Sequence, residues 1–168
     1  MIFGGAHWRF FAAAGLVFLL AACSGTEERP LESYSAEELF RRAEFELTEG
    51  NPDEAAQFFG EVERLYPYSE WAKRALVMQA FSYHQDRDYE SSRGAAQRYL
   101  NTYPADEDSA YAQYLLALSY YDQIDDVGRD QGLTFQALQS LRDVIETYPE
   151  SDYARSAILK FDLAFDHL

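Results

Sequence analysis

The sequence predicts an all-α fold, a stack of helical hairpins, and three observations support this prediction. The dipeptide Tyr-Pro recurs at Tyr66-Pro67, Tyr103-Pro104 and Tyr148-Pro149, at steps of 37 and 45 residues. An apolar run with helical spacing comes before each pair, and an aromatic–alanine step opens another such run after it. A recurring step of this size is typical of stacked repeats.

Residues 1–22 have the organisation of a secretory signal peptide. Arg9 precedes an apolar run over residues 10–22, and small residues end that run. The run is shorter than the roughly 20 residues that a helix needs to span a bilayer. An uncleaved membrane anchor is the alternative interpretation, and the polar sequence that follows disfavours it.

The single cysteine of the chain, Cys23, closes this segment. Leu20-Ala21-Ala22-Cys23 resembles the lipobox of bacterial lipoproteins. The resemblance implies that the Cys23 thiol carries a diacylglycerol, that the signal is cut just before it, and that Ser24 directs the product to the outer membrane. Two or more acyl chains give stable anchoring, whereas one gives only marginal binding. We therefore expect residues 23–33, which are polar and contain Pro30, to form a lipidated tether.

Residues 34–168 are predicted to form the repeat domain, and helix-end signals define its first hairpin. Ser35 and Glu38 have the spacing of a capping box. Gly50 supplies the left-handed backbone that often ends a helix. Asn51 is then expected to cap the second helix, with Pro52 at the first helical position, where its missing N–H costs nothing.

Each Tyr-Pro pair is predicted to separate one hairpin from the next, because proline disfavours helical geometry in the residue before it. Ser69, Ser109 and Ser151 are candidate N-caps of the helices that follow. The pattern gives about three helical pairs plus one unpaired helix. That last helix has an apolar surface formed by Ile158, Leu159, Phe161, Phe165 and Leu168. We expect either a truncated chain or a partner there, and we favour truncation.

The hairpins resemble the tetratricopeptide repeat, which implies a right-handed solenoid. The matching residues of the first unit are Leu39, Ala43, Gly50, Asn51, Ala55, Phe59 and Pro67. The second unit departs from the pattern with Arg87 in place of glycine and Ser92 in place of alanine. The third has a lengthened turn between its helices, over residues 122–132.

Three longer segments narrow the resemblance to one family. RLYPYSEWAKRALVMQAFSYH (64–84), RYLNTYPADEDSAYAQYLLALSYYDQI (98–124) and RDQGLTFQALQSLRDVIETYPESDYARSA (129–157) are similar to the outer-membrane protein assembly factor BamD family. The resemblance implies a non-enzymatic, lipid-anchored scaffold on the periplasmic face of the outer membrane. Its implied partners are a BamA-like insertase, accessory lipoproteins of the β-barrel assembly (BAM) complex and unfolded outer-membrane proteins. The family's carboxyl-terminal repeats, which carry much of the BamA contact, are missing here.

Two other function classes compete with this interpretation. One is a generic periplasmic tetratricopeptide-type adaptor lipoprotein, for example in the coordination of cell-wall synthesis, and the long turn at 122–132 favours the scaffold over it. The other is the helical module of an envelope enzyme, which would need a catalytic domain that the remaining residues cannot build.

A concave face lined by the first helix of each hairpin is the candidate binding site. Its aromatic residues suit an extended or unfolded polypeptide, because aromatic anchors dominate many interfaces. Contact with the neighbouring repeat is an equally good interpretation at each single position. The candidate groove residues are Phe40, Leu47, Arg74, Phe81, His84, Tyr114 and Tyr121.

Composition and spacing argue against other chemistries. A net charge of −15 without a Lys/Arg-rich stretch disfavours nucleic-acid binding. His84 and His167 lie far apart with no cysteine near, so no zinc site or other cofactor is expected. The aspartates of residues 122–130 lack the spacing of a calcium loop, and a solvated acidic loop is expected instead. No nucleophile motif or phosphate-binding glycine run occurs, and we expect no enzymatic activity.

Overall fold

Seven α-helices and one 3₁₀ turn account for the regular structure of the described residues. The structure, a computed structural model, describes residues 29–124 and 131–166, and no strand occurs within those ranges. The predicted all-α class is confirmed. The elements are a 3₁₀ turn Leu31–Ser33, α1 Ala36–Glu49, α2 Pro52–Leu65, α3 Glu70–Gln85, α4 Tyr89–Thr102, α5 Ser109–Tyr121, α6 Gln131–Thr147 and α7 Asp152–Phe165.

Consecutive helices pack against each other as hairpins, and the hairpins stack. The odd-numbered helices also contact one another, α1 with α3, α3 with α5 and α5 with α7. The odd-numbered helices therefore form one layer, and α2, α4 and α6 pack against it. This is the predicted tetratricopeptide-type arrangement, with three pairs and one further helix.

The folded unit begins at Leu31, three residues before the predicted boundary. Leu31 and Tyr34 both pack on the first core cluster. The Tyr66 hydroxyl donates to the Tyr34 carbonyl oxygen at 2.5 Å and fixes the chain entering α1. The predicted signal peptide and Cys23 lie outside the described residues, as does most of the long turn after Asp122.

Three apolar clusters follow one another along the stack. The first joins α1, α2 and α3, the second joins α3, α4 and α5, and the third joins α5, α6 and α7. Alanines occupy many of the fully buried positions, which lets the helices approach closely. The largest fully buried side chains are Tyr99, Phe40, Phe59, Leu39, Leu115 and Leu141.

The helix ends confirm most of the predicted caps. Ser35 accepts from the Glu38 amide, and the Glu38 carboxylate accepts from the Ser35 amide, so the capping box is complete. Gly50 is left-handed, with φ +84°. Ser69 and Ser151 each accept from the amide three residues on.

Two predicted caps differ from the prediction. Asn51 is the N-cap residue of α2, with Pro52 following as predicted, but its side chain makes no capping bond; its amide instead donates to the Glu46 carboxylate at 3.0 Å. Ser109 is the first residue of α5 rather than its cap. Its hydroxyl accepts from the Asp106 amide at 3.1 Å and donates to the Tyr103 carbonyl at 2.7 Å, which closes the loop before the helix.

The structure explains both departures in the second repeat. Arg87 has φ +64°, the left-handed conformation that glycine adopts at the matching turn of the first repeat. Ser92 is fully buried, and its hydroxyl donates to the Ala80 carbonyl of α3 at 2.9 Å. Ser119 Oγ of α5 lies 2.9 Å from Ser92 Oγ, so hydroxyls link three successive helices at a junction that alanine would leave apolar.

One glycine lies at a close helix approach. A Cβ on Gly60 of α2 would lie 2.4 Å from Nε2 of Gln79 on α3. That amide is buried and donates to the Ala56 carbonyl at 3.1 Å, while its oxygen accepts from Arg98 at 2.8 Å. The first two repeats are therefore joined by a satisfied polar group within an apolar interface.

Candidate functional site

The predicted groove residues lie on α1, α3 and α5, in the layer of odd-numbered helices. They do not form one continuous lining. Some belong to the core, some face a neighbouring helix, and some line two separate depressions.

Phe40 is a core residue, which corrects its prediction as a groove contact. Only 1% of its surface is exposed. Its ring meets that of Phe59 edge-on at 5.1 Å between centroids and that of Trp71 at 5.0 Å. A ligand cannot contact this ring without displacing α3, because the space beside it is filled.

Arg74 is exposed, and the aromatic core orients its guanidinium. The group lies 5.0 Å from the Phe40 ring centroid and 5.6 Å from that of Trp71, both within cation–π range. Arg74 also lines the larger depression, of about 630 Å³. The other residues around this space are Pro67, Tyr68, Ser69, Glu70, Lys73, Tyr103, Glu107 and Asp108.

Tyr68, at the rim of the larger depression, is a feature that the sequence analysis missed. Its side chain is fully exposed. The signal was present in the sequence, since Tyr68 directly follows the turn-forming Tyr66-Pro67 pair, where no helical face is available to bury it.

An ion-pair cluster fixes one wall of the larger depression. Lys73 Nζ lies 2.6 Å from Asp106 Oδ2, and the Tyr99 hydroxyl donates to Asp106 Oδ1 at 2.5 Å. The Lys73 ammonium and the Tyr99 hydroxyl lower the pKa of Asp106 to about 2. Burial, and then the hydrogen bond to Asp106, raise the pKa of Tyr99. The carboxylate thus ties α3 and α4 to the loop before α5.

Leu47 and Phe81 lie together in a smaller depression between the last turns of α1 and α3. Its volume is about 340 Å³, and Gly50, Pro52 and Gln85 complete its lining. Both apolar side chains are half-buried. These two groove predictions therefore stay predictions that the geometry permits.

His84 lies one turn further along α3 and is mostly enclosed. Its Nε2 is 3.0 Å from Asp122 Oδ2, at the end of α5, without the alignment of a hydrogen bond. The ring also meets Tyr89 edge-on at 5.4 Å. His84 thus connects three helices, and only 13% of its side chain is exposed.

Tyr114 and Tyr121 face α7. The Tyr114 ring is 5.5 Å from that of Tyr153, and Lys160 Nζ lies 4.4 Å from the Tyr121 ring centroid. Tyr111 joins the same cluster, 5.1 Å from Tyr153, and burial raises the pKa of Tyr111 to about 12. These rings therefore contact the neighbouring repeat, and because both Tyr114 and Tyr121 are only partly buried, their assignment to the groove stays a prediction.

The described residues contain neither a metal cluster nor a membrane-spanning helix. Within 29–124 and 131–166, no group of three or more His, Cys, Asp or Glu side chains is placed to hold a metal ion. In the same ranges, no helix combines the length and the apolar character needed to cross a bilayer.

These features define a class: an all-helical repeat domain with two accessible depressions. The C-terminal TPR-containing domain of a Plasmodium falciparum FK506-binding protein has a similar fold, with a TM-score of 0.55 at 15% identity. The similarity covers 82% of this chain and 95% of that one. At 15% identity, this similarity supports the fold alone.

The chain belongs to the YfiO family, described as outer membrane lipoproteins, whose family model matches residues 32–168. The outer membrane protein assembly factor BamD of Caulobacter vibrioides is 39% identical over 170 residues, covering 99% of this chain and 56% of that protein. BamD of Rickettsia prowazekii is 42% identical over 114 residues, covering 68% and 45%. The chain spans about half the length of these curated relatives.

Proposed function

We propose that the chain is a lipid-anchored scaffold that assists the assembly of β-barrel proteins into the outer membrane. The observation that carries this proposal is the 39% identity to an outer membrane protein assembly factor over 99% of the chain. The fold is compatible with it, since a helical stack with two open depressions can hold other polypeptides.

The proposed partners are a BamA-like insertase, accessory BAM lipoproteins and unfolded barrel proteins. The accessible side chains Leu47, Arg74 and Phe81 are the proposed contacts for the unfolded substrate. Arg74 offers a cation on an aromatic base, while Leu47 and Phe81 offer apolar surface. The relatives' names favour this role over the generic cell-wall adaptor.

The proposed anchor is an acylated Cys23, facing the periplasm from the outer membrane. Its support is the lipobox pattern together with the family's description as outer membrane lipoproteins. Metabolic labelling with palmitate tests it. We expect Cys23→Ser to abolish labelling and to release the protein from outer-membrane fractions, and Thr26→Ala, in the tether, to leave both unchanged. A labelled Cys23→Ser protein would contradict the anchor.

Crosslinking in intact cells, followed by purification of the full chain, tests the scaffold role. We expect a β-barrel insertase to be recovered, and nascent barrel proteins with it. Recovery of cell-wall synthases without an insertase would support the adaptor instead. The Phe45→Ala variant serves as a control for surface substitutions. We expect it to recover the same partners as wild type, because Phe45 is 57% exposed and lines neither depression.

A further inference from the structure

The smaller depression, which we call the Leu47–Phe81 notch, has an apolar floor. Leu47 comes from the last turn of α1 and Phe81 from the last two turns of α3, while Gly50 and Pro52 close one side. A volume of about 340 Å³ is at the small end of ligand sites, enough for one or two side chains rather than a folded surface.

Acidic residues are close in sequence to the residues that line this floor. Five carboxylates lie within two sequence positions of a lining residue, against one arginine, Arg87. Counting histidine as neutral, these neighbouring positions, which we call the acidic flanks, carry five negative charges and one positive. The five are Glu46, Glu49, Asp53, Glu54 and Asp86.

Two of these negative charges, on Glu46 and Glu54, are incompletely compensated. Glu46 is 9% exposed, and its carboxylate accepts from the Asn51 amide, a neutral group. Repulsion from Glu46 raises the pKa of Glu54, and Arg42 offsets only part of that repulsion. A cation brought to the notch would relieve the same repulsion that opposes ionisation of Glu54.

We propose that the Leu47–Phe81 notch binds a large apolar side chain of an unfolded segment that carries Lys or Arg beside it. The apolar side chain contacts the floor, and the basic neighbours meet the acidic flanks. An acidic segment with the same apolar content is repelled, so the notch discriminates by charge. This inference rests on the proposed function for the source of the segment, and it adds the chemical class of sequence selected.

Three short peptides and the full-length chain in mild detergent test the notch. One peptide has a tryptophan between two lysines, one has the tryptophan between glutamates, and one has serine between lysines. In fluorescence anisotropy titrations, we expect the first to bind at least tenfold more tightly than either of the others. Equal binding of the two lysine peptides would mean non-specific attraction to an acidic chain and would overturn the proposal.

A matched pair of charge reversals locates the site. Asp86→Lys alters the notch end of α3, whereas Glu146→Lys makes the same charge change on α6, at a residue that lines neither depression. Both residues are exposed. We expect Asp86→Lys to weaken the first peptide about three- to tenfold and Glu146→Lys to change it less than twofold. Equal effects would overturn the proposal.

Chemical-shift mapping on the unmodified chain keeps the test independent of variants that unfold. Added peptide is expected to shift the amide signals of residues 47–51 and 81–86 first, and shifts confined to other regions would overturn the proposal of binding at the notch. The two proposals also fail separately. If unfolded barrel segments bind wild type and Asp86→Lys equally, the proposal for the notch is wrong and the proposed scaffold function stands. If the lysine peptide binds the notch but no barrel segment binds the chain, the proposed role in binding barrel substrates is wrong.

Discussion

Helices α3 and α7 begin with the same signals and end in different surroundings. Each follows a Tyr-Pro pair, and each is capped by a serine, Ser69 or Ser151. Yet α3 buries seven residues against helices on both sides, whereas α7 buries only three alanines. Of the large apolar side chains exposed in the described residues, four lie on α7: Ile158, Leu159, Leu163 and Phe165.

The difference teaches that a repeat's neighbours, more than its own sequence, decide how much of it is covered. Both helices carry apolar residues on more than one face. In α3 the second face meets α4 and α5, as the second core cluster shows. In α7 the face around Leu159 and Leu163 meets no described helix.

The largest expected effect comes from leucine truncation in the two helices. Leu76 on α3 is 2% exposed, whereas Leu163 on α7 is 47% exposed. We expect Leu76→Ala to lower the free energy of unfolding by about 2–4 kcal/mol. Leu163→Ala should cost under about 1 kcal/mol, because much of its surface already meets water. Urea unfolding followed by circular dichroism measures both, and equal losses would break the comparison.

The amino end of α3 has a second support that α7 lacks. Lys73 on α3 pairs with Asp106 of the loop before α5, whereas Arg155 on α7 pairs, within the described residues, with Asp152 of its own exposed first turn. We expect Asp106→Asn to destabilise the fold by about 1–2 kcal/mol at pH 7, with solvent screening allowed for. Asp152→Asn is the control, with little effect.

The Asp106 contribution has a defined pH dependence. Because the folded-state pKa of Asp106 is lowered to about 2, its stabilisation is fully present above the ordinary carboxyl pKa of 3.8 and is lost as the pH falls through about 2. The stability difference between wild type and Asp106→Asn should therefore shrink between pH 4 and pH 2. A difference that grows on acidification would contradict the ion pair's role.

Removing the N-cap should cost the two helices similar free energies, but the loss should destabilise the whole fold in one case and only the helix end in the other. Ser69→Ala and Ser151→Ala each remove one bond to a helix amide, worth about 1 kcal/mol. In α3 the loss should lower global stability. In α7, which has a free face, it should appear as local fraying, with amide hydrogen exchange about fivefold faster near residue 154. Global loss in both variants would show that α7 is as integrated as α3.

The smallest effect concerns the turn just after α3. Arg87 holds a left-handed backbone that glycine adopts without strain. We expect Arg87→Gly to stabilise the protein by about 0.5–1 kcal/mol. Gly50→Ala, at the matching turn with open space around the added Cβ, should destabilise it by about 1 kcal/mol. Thermal unfolding of the two variants measures both, and a loss on Arg87→Gly would mean that the arginine side chain makes a stronger contact than its backbone strain.

Much of the fold was predictable because its signals are local. The Tyr-Pro pairs, the capping box at Ser35 and the left-handed Gly50 depend on neighbours within a few residues, and all appear in the structure. The missing side-chain caps at Asn51 and Ser109 share a cause. Each side chain found a competing partner, the Glu46 carboxylate or the Asp106 amide, which spacing alone does not reveal.

The candidate site was less predictable, because helical periodicity does not say what covers a face. Phe40 and Phe81 are both apolar residues of odd-numbered helices, but Trp71 and Phe59 fill the space beside Phe40. Tyr114 and Tyr121 likewise depend on where α7 docks. Each depression forms between two chain segments that lie at least 29 positions apart, so the depressions follow from tertiary packing.

The fully exposed phenol of Tyr68 gives the chain a natural labelling position. The other twelve tyrosines are all at least partly buried. Mild iodination or nitration should therefore enter first at Tyr68, on the rim of the larger depression. The extent of Tyr68 modification, measured by mass spectrometry, would then report whether that depression is occupied in intact cells, without any engineered tag.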